Sequence, residues 1–211
     1  MAHLRRCRTQ QVRTVALRQT EAPADSSPLE DLRFIRQTLE NSTSFTAVPG
    51  WGMVLMGATA LAVAVAAARQ ESFNRWAALW LVEAVVALLI GLWMMERKAR
   101  RNKSPLFSGP GRRFLLSFVP PMIVGAVLTP VLYRAGALRE VPGAWLLLYG
   151  TAVVTGGAFS VPTVPVMGMC FMLVGGITFI SPAAWANWYM AAAFGGLHII
   201  FGTMIARRHG G

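Results

Sequence analysis

Six stretches of the chain are apolar almost without interruption, running from about Gly50 to Ala68, Trp76 to Met95, Phe114 to Tyr133, Gly143 to Ser160, Pro162 to Ile180 and Trp185 to Ala206. A helix needs about 20 predominantly apolar residues to cross a hydrocarbon core of about 30 Å. Inside that core each backbone N–H and C=O has to be satisfied within the protein, which favours unbroken helices. Between the fourth and fifth stretches only Ser160, Val161 and Pro162 intervene, a tight hairpin in which proline ends one helix and opens the next. The pattern predicts an all-α fold, a polytopic transmembrane bundle of six helices spanning residues 48–211.

A different periodicity precedes the first span. Ser27-Pro28-Leu29-Glu30 has the form of a capping box with proline at the first helical position. From Pro28 to about Glu40, Leu29, Leu32, Ile35 and Leu39 recur on one side of a helix, with Arg33, Arg36 and Glu40 largely elsewhere. Residues 27–47 therefore read as an amphipathic helix, which either lies in the cytoplasmic interface or packs on the bundle or a partner. Pro49-Gly50 breaks the direction before the first span. Residues 1–26 are polar, arginine-rich and without periodicity, and disorder is expected there.

Charge sets the orientation. Sixteen of the 20 Lys and Arg lie in the N-terminal segment, the connection between the second and third spans, and the C-terminus; only Arg69, Arg75, Arg134 and Arg139 fall on the other side. The positive-inside bias then places both termini in the cytoplasm, which requires an even number of spans. All seven tryptophans, Trp51, Trp76, Trp80, Trp93, Trp145, Trp185 and Trp188, fall near span ends, as headgroup-level anchors do.

Composition narrows the class. Of the 211 residues 55% are hydrophobic and 14% charged, against about a quarter charged in soluble domains, which argues against a soluble enzyme. The net charge of +11 flanks apolar spans instead of forming a reading face, so it suits anionic lipid headgroups and not nucleic acid. The two cysteines, Cys7 and Cys170, lie in segments of different character and form neither a disulfide framework nor a metal motif.

Within the spans the ionisable residues are Glu83 and His198. A charge near the bilayer centre costs at least about 2.5 to 3.5 kcal/mol, so each is a candidate proton or ligand site. Their depths differ by about 9 Å at 1.5 Å per residue, and a hydroxyl such as Thr151 or Thr155 could bridge them. One reading is a proton or cation path. The other, favoured, is a protonated Glu83 bonded within the protein and a neutral His198 pinning helix packing, since most other span positions are Ala, Val, Leu, Met or Gly. No paired-ligand spacing, nucleophile elbow or phosphate loop occurs in a span, so no catalytic residue, metal site or cofactor is assigned.

Glycine pairs occur in each of the last three spans: Gly156-Gly157, Gly175-Gly176 and Gly195-Gly196. Small residues let backbones approach closely, so these spans are expected to form a tight sub-bundle. Pro120, Pro121 and Pro130 predict a kink in the third span and carbonyls in need of other donors.

The stretches Leu32-Arg33-Phe34-Ile35-Arg36, Ser44-Phe45-Thr46-Ala47-Val48-Pro49-Gly50-Trp51-Gly52, Phe194-Gly195-Gly196-Leu197-His198 and Ala206-Arg207-Arg208-His209-Gly210-Gly211 resemble a group of uncharacterised bacterial six-span membrane proteins. The resemblance covers the chain from the amphipathic helix to the C-terminus. It implies a bacterial inner-membrane location and transfers no catalytic residue. The resulting expectation is a non-catalytic accessory, scaffold or regulatory subunit working with a membrane-protein partner or a second copy of itself. The alternative is a small proton-coupled or solute transporter using Glu83 and His198.

Overall fold

Helix ends in the computed structural model follow the local chemistry of proline, glycine and short polar runs. It describes Leu29, Leu32, Arg33 and Ile35, then residues 48–101 and 109–209. The chain divides into two units, Met1–Ser42 and Thr43–Gly211. In the first, the four described residues are helical and exposed. The rest of the expected amphipathic helix, and the N-terminal residues 1–26, lie outside the described residues.

In the second unit, α1 (Gly50–Ala67) is followed by α2 (Phe73–Arg101) and α3 (Gly109–Arg134). After a 3-10 turn at Leu138–Glu140 come α4 (Val141–Gly157) and α5 (Thr163–Ile180). A second 3-10 turn, Ala183–Trp185, leads into α6 (Ala186–Met190), a π-helical segment (Ala191–Leu197) and α7 (His198–His209), which form one continuous last helix. Counted so, the described residues make six helices and no strand ladder. Five of the six are long and apolar enough to cross a membrane.

The sixth, α4, corresponds to the expected fourth span and has 17 residues, about 25 Å of helix. It stops at Gly157 because the chain turns through Ala158, Phe159 and Ser160 toward Pro162. It is also the most enclosed helix, with Val141 and Leu146 fully buried and α3 and α5 packed along it. A helix clad in protein has less need to match the lipid thickness.

α2 extends past the expected Met95 through the basic run to Arg101. Glu96, Lys98, Ala99 and Arg100 are good helix formers, and Glu96 accepts from Arg100 one turn on, at 2.6 Å. α3 stays helical through all three prolines. It ends in a Schellman arrangement: Ala137 N–H bonds the Leu132 carbonyl and Gly136 N–H that of Tyr133, with Gly136 at φ 73°, the left-handed region glycine adopts most easily.

Glycine at seven-residue spacing builds the two closest helix contacts. Between α4 and α5, a methyl on Gly150 would lie 2.8 Å from the Gly168 carbonyl oxygen, and one on Gly168 2.7 Å from that of Gly150. Gly157 and Gly175 extend the same seam. Between α1 and the last helix, Gly57 meets Gly195 and Gly202 meets Gly50 in the same way. Residues seven apart share a face over two turns, so each pair of backbones is in contact along its length. α1 thus packs on the last helix on one side and on α2 on the other.

Candidate functional site

The two ionisable residues singled out from sequence are both buried, Glu83 at 5% and His198 at 4% exposure. Each is tied to a hydroxyl on a neighbouring helix. Glu83 sits on the inward stripe of α2 with Trp76, Trp80, Ala87, Gly91, Met94 and Lys98, and its Oε1 accepts from Thr59 Oγ1 of α1 at 2.7 Å. Thr59 Oγ1 is also 2.9 Å from the Met56 carbonyl. One hydroxyl proton cannot serve both oxygens fully, and a carboxylic acid at Glu83 would donate to Thr59 and free that proton for Met56.

His198 opens α7 directly after the π segment, and its Nε2 pairs with Tyr149 Oη of α4 at 2.8 Å. Rings surround it: Phe171 at 5.4 Å, Tyr149 at 5.6 Å and Phe194, stacked, at 6.2 Å between centroids. Nδ1 has no partner in hydrogen-bonding geometry. The backbone carbonyls of Phe194 and Ala193, four and five residues earlier, lie near the imidazole.

The aromatic nest continues outward from His198. Phe194 meets Trp80 at 6.0 Å, and Trp76 stacks on Trp145 at 5.9 Å. Asn187 of α6 joins this end: its Oδ1 accepts from Trp76 Nε1 at 3.0 Å and Trp80 Nε1 at 3.2 Å, while its Nδ2 donates to the Ala64 carbonyl of α1. Trp145 donates to Thr129 of α3. The anchor reading is corrected for Trp76 and Trp80, which are 9% and 3% exposed with their N–H groups used inside the protein. Trp145 is likewise half-buried and bonded inward. Trp51, Trp93, Trp185 and Trp188 are exposed.

Thr151 and Thr155 do not bridge Glu83 and His198. Thr151 donates to Leu147 in its own helix. Thr155 Oγ1 lies 2.8 Å from the Ser117 carbonyl of α3, the group left without a donor because Pro121 has no N–H. Pro120 and Pro130 face outward and Pro121 is half-buried. Of the glycine pairs, Gly156, Gly157, Gly175 and Gly195 are in close contacts, whereas Gly176 and Gly196 have nothing within 4 Å of a methyl position.

Sequence reasoning missed Thr59, Tyr149 and Asn187 as partners, and the seven-residue glycine pattern at Gly50, Gly57, Gly143, Gly150, Gly157, Gly168, Gly175, Gly195 and Gly202. That spacing was legible as a one-face signal; the hydroxyl and amide partners sit on other helices and left no local mark. Among the described residues, no group of three or more His, Cys, Asp or Glu could hold a metal ion.

The fold is thus an all-α bundle with five helices of membrane-crossing length and apolarity. No family model, no curated protein and no solved structure matches the chain.

Proposed function

We propose that this chain is a six-span integral protein of the bacterial inner membrane with both termini cytoplasmic, in which α4 crosses as the protein-clad fourth span. Its role is non-catalytic: an accessory, scaffold or regulatory subunit of a membrane assembly. One observation carries this reading. Glu83 and His198 are each committed to a separate interhelical hydroxyl, Thr59 and Tyr149, amid glycine contacts and stacked rings, instead of converging on one site. Such pairs hold α2 to α1 and α4 to the last helix, which is helix-packing chemistry. The wide apolar surface of α2 and α3 gives a partner or a second copy room to pack.

The test is intact-mass spectrometry of the protein released from native nanodiscs. The reading predicts a species heavier than whole multiples of 22.9 kDa by the mass of another protein. Bare monomers or homo-oligomers alone would remove the heteromeric form of the proposal. A transport role has one observation in its favour, a buried histidine directly after a π segment, since π turns recur at functional sites. A flux assay on His198→Gln separates the two.

A further inference from the structure

One end of the bundle gathers cations around an apolar groove. Three contacts bring the start of α1, the end of α2 and the end of α7 together: Gly50 against Ala206, Gly52 against Met94, and Lys98 Nζ donating to the Val48 carbonyl at 3.1 Å. α1 is flanked by α2 and the last helix, and its remaining face, Trp51, Leu55, Ala58, Ala62 and Val65, is exposed. At 100° per residue these five share one side, opposite the buried Ala60, Ala64 and Ala67. They form the floor of a groove. The same spacing, set by the residues that touch α1, puts Val86, Ile90, Trp93 and Arg97 of α2 along one wall. It puts Gly196, Thr203 and Arg207 of the last helix along the other.

The floor is shallow in side chain where Ala58 and Ala62 lie, and Gly196 has open space beside it. At the mouth, Arg97 and Arg207 are exposed, and neither forms an ion pair among the described residues. The nearby carboxylate, Glu96, is taken by Arg100. The Arg97 guanidinium lies 5.7 Å from the ring centre of Trp93, itself 59% exposed, and Trp51 is 54% exposed at the start of the floor. Exposed indoles beside unpaired guanidinium groups, above an apolar trough, complement a molecule that has a phosphate at one end and a hydrocarbon chain at the other.

We propose that this groove seats an anionic phospholipid, with its phosphate between Arg97 and Arg207 and an acyl chain over Ala58 and Ala62. The inference rests on the membrane-embedded reading and is independent of whether a protein partner exists. Guanidinium groups suit the phosphate because each presents paired N–H donors to its oxygens. The indoles hold the glycerol level, and the alanine floor leaves a chain-width slot that larger side chains would fill.

The experiment uses the full chain in lipid-stripped detergent, titrated with dioleoyl phosphatidylglycerol and separately with dioleoyl phosphatidylcholine. Bound lipid is read as mass adducts in native mass spectrometry. Two cations near a net-negative headgroup predict roughly a thirtyfold preference for phosphatidylglycerol over phosphatidylcholine, whose choline cancels the charge of the phosphate. Arg97→Gln/Arg207→Gln should abolish that preference, while Arg112→Gln/Arg113→Gln, the same charge change at the start of α3, should retain it. Gly196→Leu points into open space and should weaken both lipids alike. Equal binding of the two lipids by the unaltered protein, or equal loss in both arginine variants, would overturn the proposal. So would inorganic phosphate or an acidic peptide binding as tightly as phosphatidylglycerol. A heavier complex with another protein in the nanodisc experiment would leave this result unaffected, so failure of one reading is distinguishable from failure of the other.

Discussion

Replacing Gly150 by alanine puts a methyl group into the tightest part of the α4–α5 seam. That methyl would lie 2.7 Å from Met172 Cγ, 2.8 Å from the Gly168 oxygen and 2.9 Å from the Met172 backbone nitrogen. Ordinary carbon contacts begin near 3.5 Å, and two of the three atoms are backbone, so the helices have to separate by several tenths of an ångström along the seam. Overpacking of this kind costs about 1 to 3 kcal/mol. Alanine's better helix propensity returns up to about 1 kcal/mol, leaving a net loss of up to about 2 kcal/mol when that return is full. The matched control is Gly176→Ala on α5, where nothing lies within 4 Å and only the propensity gain remains. Reversible unfolding in mixed micelles, followed by tryptophan fluorescence, measures both. Gly150→Ala should unfold at lower denaturant and Gly176→Ala at equal or higher. Identical midpoints for the two variants would refute the close-contact reasoning.

Gly202→Ala should destabilise more than Gly195→Ala in the same assay, because the first meets the Gly50 carbonyl and the second meets the flexible side chain of Leu61. Asn187→Leu leaves two buried indole N–H groups without an acceptor and should cost at least about 2 kcal/mol, with a shift in tryptophan emission. Gly136→Ala forces a β-carbon into φ 73° and should cost about 1 kcal/mol without altering assembly, checked by midpoint and intact mass together. For orientation, single cysteines at Arg69 and Asn102, in a chain with Cys7 and Cys170 replaced by serine, should label from opposite faces of the membrane with an impermeant maleimide. Labelling of both from one face would contradict the proposed topology.

Much of the fold could be read from apolar run length, because few structures satisfy a backbone inside lipid. The boundaries at Pro49, Pro162 and Ile180 lie where the breakers put them. The C-terminal end of α4 was placed three residues late because the apolar run continues through Ala158 and Phe159 after the helix has turned at Gly157. Trp76 and Trp80 were assigned to the lipid interface because tryptophan near a span end has two uses. Their membership of an inward stripe with Glu83, Ala87, Gly91, Met94 and Lys98 was readable from spacing, whereas Asn187 as their shared acceptor was not. Glu83 and His198 were identifiable as unusual residues. Their partners depend on which helices become neighbours, and depth arithmetic between the two residues said nothing of Thr59 or Tyr149. The π segment has no sequence mark beyond Gly195-Gly196 lowering helix propensity before a histidine.

Glu83 and His198 are proposed to serve packing and not transport. Proteoliposomes carrying the purified protein, an entrapped pH-sensitive dye and an imposed proton gradient test this most directly, with Glu83→Gln run alongside. Neither protein should dissipate the gradient faster than empty vesicles, and Glu83→Gln, whose amide can still reach Thr59, should remain folded and assembled. Rapid dissipation by the unaltered protein that is lost in a folded Glu83→Gln variant would contradict the packing role.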